Sequence, residues 1–111
     1  DVLLVACNTP ARMAKGAVEQ LRAKGVAAGL FRPITLWPFP IQALLPLAER
    51  ARRIVVVEAS AGQLEDEMRL ALSRAGFAPH LSIEAVERYG GVLPSTDSVV
   101  QHVLEAEEVR S

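Results

Sequence analysis

Residues 54–58 read IVVVE. Four consecutive β-branched apolar residues are too few for a helix. The stretch predicts the most convincing strand of the chain, from Ile54 to Val57 and ending at Glu58. Upstream, Arg50, Arg52 and Arg53 crowd the end of a preceding helix, where cations complement the helix dipole. Downstream, Ser60-Ala61-Gly62-Gln63 has the spacing of a capping box, with Glu65, Asp66 and Glu67 loading the first turn. Leu64, Met68, Ala71, Leu72 and Ala75 then share one face, and Gly76 stops the helix.

The same strand-then-helix unit recurs in both directions. Val2 to Ala6 is a second continuous apolar run. Thr9 is placed to cap the helix that follows, and Pro10 suits its first position, where a missing N–H is harmless. That helix runs to about Lys24, with Met13, Ala14, Ala17, Val18 and Leu21 facing in, Arg12, Lys15, Glu19 and Arg22 facing out, and Gly25 as the stop. Val26 to Phe31 reads as a strand with Gly29 inside it as a point of close packing. Pro40 opens a helix to about Arg52. Pro46 lies inside it and cannot donate to Gln42, which predicts an irregular first turn with regular helix from about Leu45, or a kink. His80 to Val86 is a weaker strand. Tyr89-Gly90-Gly91 reads as a plain turn, with a mobile lid as the alternative. Ser95 or Thr96 caps a last helix with Val99, Val100, Val103 and Leu104 facing in, and the acidic tail is expected to fray. The pattern βαβαβαβα with short connections predicts an α/β domain: a three-layer αβα stack around a mostly parallel sheet of four to five strands.

Composition narrows the function classes. The chain has 111 residues, enough for one domain with a core of its own. Twelve basic residues balance 13 acidic ones, and no basic stripe appears, so a nucleic-acid footprint is not expected. No apolar run approaches the roughly 18 residues of a membrane span. A single cysteine, Cys7, excludes an internal disulfide or a cysteine zinc cage and fits a reducing compartment such as the cytoplasm. The chain starts directly at a strand with no initiator Met, so residues 1–111 are expected to be a single domain cut from a longer polypeptide.

In open parallel sheets, ligands gather beyond the C-terminal strand ends. Those ends carry four groups worth weighing. Asn8 and Thr9 open a helix whose amides could hold an anion, or they simply cap it. Cys7 is either a thiolate at a helix start or a small buried hydrophobe. Glu58 is either a placed base or one half of an ion pair with Arg32. Gly62, beside Gln63, allows close approach of a ligand or of another backbone. His80 and His102 lack metal-ligand spacing, and His102 is placed on the exposed side of its helix. The chain shows no GxGxxG or Walker A pattern and no catalytic set.

One stretch fits none of these. Phe31 to Pro40, FRPITLWPFP, holds the only Trp and three of the seven Pro. It is too proline-rich for a central strand or helix and too apolar for a solvated loop. Here the chain resembles the C-terminal region of the α-type subunit of 2-oxoacid:ferredoxin oxidoreductases, the pyruvate, 2-oxoglutarate and branched-chain enzymes. Three motifs carry the resemblance: LLVA-x-x-T-x-A-R-x-A-K at Leu3 to Lys15, GLFRPITLWPFP at Gly29 to Pro40, and VVVE-x-x-x-GQL at Val55 to Leu64. The Gly90-Gly91 pair before a Pro-Ser/Thr helix start matches too. Cys7-Asn8, Pro10 and Pro46 depart from the family pattern.

The resemblance implies a transketolase C-terminal-like fold with strand order 26–31, 2–6, 53–58, 81–86. It implies a crevice between the first and third strands of the chain, and a further edge strand that would be missing here. It also implies a parent enzyme that decarboxylates a 2-oxoacid oxidatively to an acyl-CoA and passes electrons to ferredoxin. Thiamine diphosphate, Mg and iron–sulfur clusters would be held elsewhere in that parent. This domain would be non-catalytic, would bind no cofactor, and would serve in packing and subunit assembly within a homo-oligomer. The candidate interface or crevice residues are Asn8, Thr9, Arg32, Trp37, Phe39, Glu58, Gly62 and Gln63. Trp37 and Phe39 are expected to be partly exposed, as a docking patch. Two alternatives are the corresponding domain of a transketolase or 2-oxoacid dehydrogenase β-type subunit, and a small-anion-binding module.

Overall fold

The computed structural model describes residues 2–7, 10–33, 39–58, 63–76, 82–87 and 95–110. Four strands and four helices alternate: β1 (Val2–Val5), α1 (Pro10–Ala23), β2 (Ala28–Phe31), α2 (Ile41–Arg50), β3 (Arg53–Glu58), α3 (Gln63–Arg74), β4 (Ser82–Glu87) and α4 (Thr96–Arg110). The strands form one sheet in the order β2-β1-β3-β4, with every pairing parallel. Val2 stands opposite Ala28 on one side and Arg53 on the other, and Arg53 stands opposite Ser82.

Side chains alternate across this sheet and divide the core in two. Val2, Leu4, Val55 and Val57 pack with α1 and α4 on one face. Leu3, Val5, Ile54 and Val56 pack with α2 and α3 on the other. The central strands β1 and β3 are buried throughout, which is why IVVVE reads as an unbroken apolar run. From β1 the chain crosses to β2 in one direction and then returns past β1 to β3. A constant crossover hand therefore puts α1 on one face and α2 and α3 on the other.

Several elements differ in detail from the sequence reading. Helix α2 begins at Ile41 rather than near Leu45 and continues through Pro46; the irregularity is at its entry, where Ile41 N–H donates to the Phe39 carbonyl at 2.8 Å and Ala43 N–H to the Pro40 carbonyl at 3.3 Å. Pro46 is solvent-exposed on this helix, so the carbonyl it leaves unpaired borders the water-facing side. Gly29 makes no close approach: a Cβ there would meet Leu3 Cδ1 at an ordinary 3.9 Å. Gly16 is the tight one, with a Cβ 3.2 Å from Thr96 Oγ1, so the start of α4 docks against bare α1 backbone. Gly25 and Gly76 end α1 and α3 with φ of 87° and 73°, the left-handed stop expected of each. Ser95 is the cap of α4, its Oγ accepting from Ser98 N–H at 3.1 Å. The helix runs on to Arg110 where fraying was expected. Ala75 is exposed and not part of the buried face of α3.

Candidate functional site at the carboxyl ends of the strands

The topological switch point falls between β1 and β3, because the chain leaves β1 to one side and β3 to the other. Val5 stands opposite Val56. Two residues further along each strand direction lie Cys7 and Glu58, the last described residues of β1's exit and of β3. Arg32 follows β2 directly and is exposed.

Glu58 is buried at 4% exposure. It is not held by an ion pair to Arg32. Its Oε1 accepts from Leu64 N–H at 2.9 Å and its Oε2 from Glu65 N–H at 3.1 Å. The carboxylate thus caps α3 from the strand before it, satisfying two of the amides that a helix start leaves open and sitting at the positive end of its dipole. The capping role assigned to Ser60 in the sequence falls on a residue outside the described ones, so Glu58 is the cap on view. Both of its oxygens are engaged by the fold, which leaves it poorly placed to take a substrate proton.

Cys7 is half-buried. Burial pushes its thiol above the ordinary value, the Glu58 carboxylate pushes it further, and the Arg32 guanidinium pulls it part of the way back. The net direction is that of a protonated small hydrophobe rather than a thiolate nucleophile.

The docking patch is corrected in one half. Phe39 is buried, with its ring centroid 6.3 Å from that of Phe31 and the two planes tilted by 46°. The ring belongs to the core between the sheet and α2. Its aromatic neighbour in the preceding strand and the apolar face of α2 together supply the burial that an isolated loop would lack. Trp37 lies outside the described residues, as do Asn8, Thr9 and Gly62. Gln63 opens α3.

A second charged cluster was not found by reading the sequence. The sequence places Arg53 among the helix-terminal cations, yet it is the first residue of β3 and is fully buried. Its Nε and Nη2 donate to the two oxygens of Glu84 at 2.8 Å each, a fork-to-fork pair, and its Nη1 donates to the Val103 carbonyl of α4 at 3.2 Å. Ser82 Oγ donates to Glu84 at 3.1 Å, and His102 Nε2 lies 2.9 Å from it. An ionised carboxylate only accepts, so His102 carries its proton on Nε2. The Arg53 hydrogen bonds hold the Glu84 carboxyl down at about 2; burial opposes this, while Arg53's charge and the His102 and Ser82 contacts reinforce it. His102 is therefore half-buried against β4, not on the exposed side of α4. The signal was present as period-2 alternation: positions 53, 55 and 57 share a face, so Arg53 had to enter the core beside Val55 and Val57.

Among the described residues, no group of three or more His, Cys, Asp or Glu side chains could hold a metal ion. An iron–sulfur cluster takes four thiolates or their equivalents, and the sequence has one Cys, so that group does not fit this chain.

Comparison with known proteins agrees with this fold and strand order. The family model described as pyruvate:ferredoxin oxidoreductase core domain II matches residues 1–99. The chain belongs to that family. Ketoisovalerate oxidoreductase subunit VorB of Methanothermobacter thermautotrophicus is 37% identical over 95% of the chain, which covers 28% of that subunit. The 2-oxoglutarate synthase subunit KorA of Methanocaldococcus jannaschii is 32% identical over 94% of the chain, covering 26% of that subunit. The chain thus spans about a quarter of these curated relatives. Among solved structures, a split-gene transketolase described as an inactive β4 tetramer superposes with a TM-score of 0.79 at 24% identity, over 96% of this chain and 38% of that one. The 2-oxoglutarate:ferredoxin oxidoreductase of Magnetococcus marinus, solved with 2-oxoglutarate, coenzyme A and succinyl-CoA bound, superposes with a TM-score of 0.76 at 22% identity, over 95% of this chain and 17% of that one. At those identities the two structures speak for the transketolase C-terminal-like fold alone. Family membership removes the transketolase and dehydrogenase β-subunit alternative. Among the described residues, no helix is long and apolar enough to cross a membrane.

Proposed function

We propose that this domain is the non-catalytic packing and assembly unit of a larger cytoplasmic 2-oxoacid:ferredoxin oxidoreductase subunit. The parent would decarboxylate a 2-oxoacid and deliver an acyl-CoA and reduced ferredoxin. Thiamine diphosphate and Mg, with the iron–sulfur clusters, would be carried by other parts of that enzyme. The partners of this domain are those parts, together with a second copy of the chain in a homo-oligomer.

The observation that carries the reading is Glu58. Among the described residues it is the buried carboxylate at the switch point, and both its oxygens cap α3. The neighbouring thiol of Cys7 is shifted away from the reactive form. The same contact weighs against the small-anion module, since an anion at the start of α3 would have to displace a carboxylate already seated there. Calorimetric titration of the 111-residue chain with thiamine diphosphate and Mg²⁺ is expected to give no binding heat. Tight, saturable binding of the cofactor would overturn the proposal.

A further inference from the structure

Helix α3 carries a feature that neither core explains. Leu70 is 45% exposed, the most exposed large hydrophobic among the described residues. It borders a groove of about 400 Å³ between α2 and α3, lined by Phe39, Ile41, Gln42, Glu67, Leu70 and Arg74, among others. Glu67, Leu70, Ala71 and Arg74 are spaced i, i+3, i+4, i+7 and so share one face of the helix.

Glu67 and Arg74 take no part in a hydrogen bond or ion pair among the described residues, in contrast to Glu65 and Arg69 on the same helix, which pair at 2.7 Å. Seven residues of helix separate Glu67 and Arg74 by about 10 Å, too far for them to pair with each other.

The face E-x-x-L-A-x-x-R is its own complement when reversed. A two-fold axis passing between Leu70 and Ala71 lays a second α3 antiparallel to the first. Each Glu67 then meets the other copy's Arg74, twice over. The two Leu70 side chains enter the groove region at the centre, and the small Ala71 permits close approach of the backbones. A self-complementary patch on both partners is what an isologous dimer requires.

We propose that the α2–α3 face is a homodimer surface, with a second copy of this chain as its occupant. The proposal shares with the assembly reading only the choice of a second copy as partner. A 12-residue helix is about 18 Å long. That footprint falls well under the roughly 800 Å² per partner of a stable complex, so the expected association is weak and reversible.

The test is sedimentation velocity of the 111-residue chain from about 0.01 to about 1 mM, with the circular dichroism melt of each variant as the folding control. Glu67→Arg and Arg74→Glu each turn two attractions into two repulsions and are expected to weaken dimerisation on the order of tenfold. The double variant E67R/R74E restores the pairing and the affinity. Leu70→Asp abolishes association. A dimer indifferent to both single reversals overturns this surface while leaving homo-oligomerisation through another face intact. A chain that stays monomeric to the highest concentration overturns the surface as well.

Discussion

Two carboxylates on adjacent strands of one sheet are stabilised in opposite ways. Glu58, at the end of β3, faces α3 and is satisfied by backbone amides. Glu84, on β4, faces α4 and is satisfied by side chains, chiefly the buried guanidinium of Arg53. Glu58 is thus a local device, joining a strand to the helix six residues on. Glu84 is a long-range one, joining β3, β4 and α4. The difference teaches which half of the molecule depends on charge. The α2/α3 face is held by apolar packing and a cap; the α1/α4 face contains an ionic network whose members lose most when separated.

The sharpest way to break the comparison is to remove the anion from beside Arg53. Glu84→Ala strands a fully buried cation and is expected to destabilise the fold by about 3–5 kcal/mol in urea denaturation. Replacing both partners, as in R53M/E84L, is expected to cost far less than Glu84→Ala alone, because no charge is then left buried. A double variant as unstable as the single one would mean that packing, not charge, dominates there.

Acid provides the next test. The Glu84 carboxyl is lowered from 4.5 to about 2 in the folded chain. A depressed folded value contributes stability that is fully present above the unfolded value and is lost as pH falls through the folded one. Denaturation midpoints measured from pH 5 to pH 2 should record a loss of up to about 3 kcal/mol from this group, and the E84A variant should lack that share of the slope.

Glu58→Ala uncaps α3 and is expected to cost about 1–2 kcal/mol. Hydrogen exchange should localise the loss to the first turn of α3, whereas Glu84→Ala should loosen α4 amides far from the substituted residue. The smallest effect is expected for His102→Asn, about 0.5–1 kcal/mol, because the ring is half-buried and Arg53 still holds Glu84 in place.

The sequence made the fold legible wherever one periodicity governed a segment. IVVV could only be a strand, and α1 displayed its two faces through Ala14, Ala17 and Leu21 against Arg12, Lys15 and Glu19. The strand order followed from the family resemblance rather than from any pattern in the residues. What remained illegible were contacts between residues distant in the chain. Glu58 stood out as a placed acid, but whether an arginine or an amide met it depended on where α3 began. Arg53 was grouped with Arg50 and Arg52 by proximity in sequence, although the strand's alternation separates them. Phe39 was read with the proline-rich loop, and only the packing of Phe31 and α2 around it shows that its ring belongs to the core.

The hydrogen bond from Arg53 to the Val103 carbonyl has a consequence for the order in which the chain matures during synthesis. Translation delivers β1, β2, β3 and both helices of the α2/α3 face before any of α4 exists. One side of the sheet can therefore close while the ribosome is still adding residues. The other keeps Val55, Val57 and the Arg53 guanidinium only partly covered until about residue 103 has emerged. A nascent chain stalled before that point presents a half-finished apolar surface beside the Arg53–Glu84 pair, the kind of intermediate that chaperones shield.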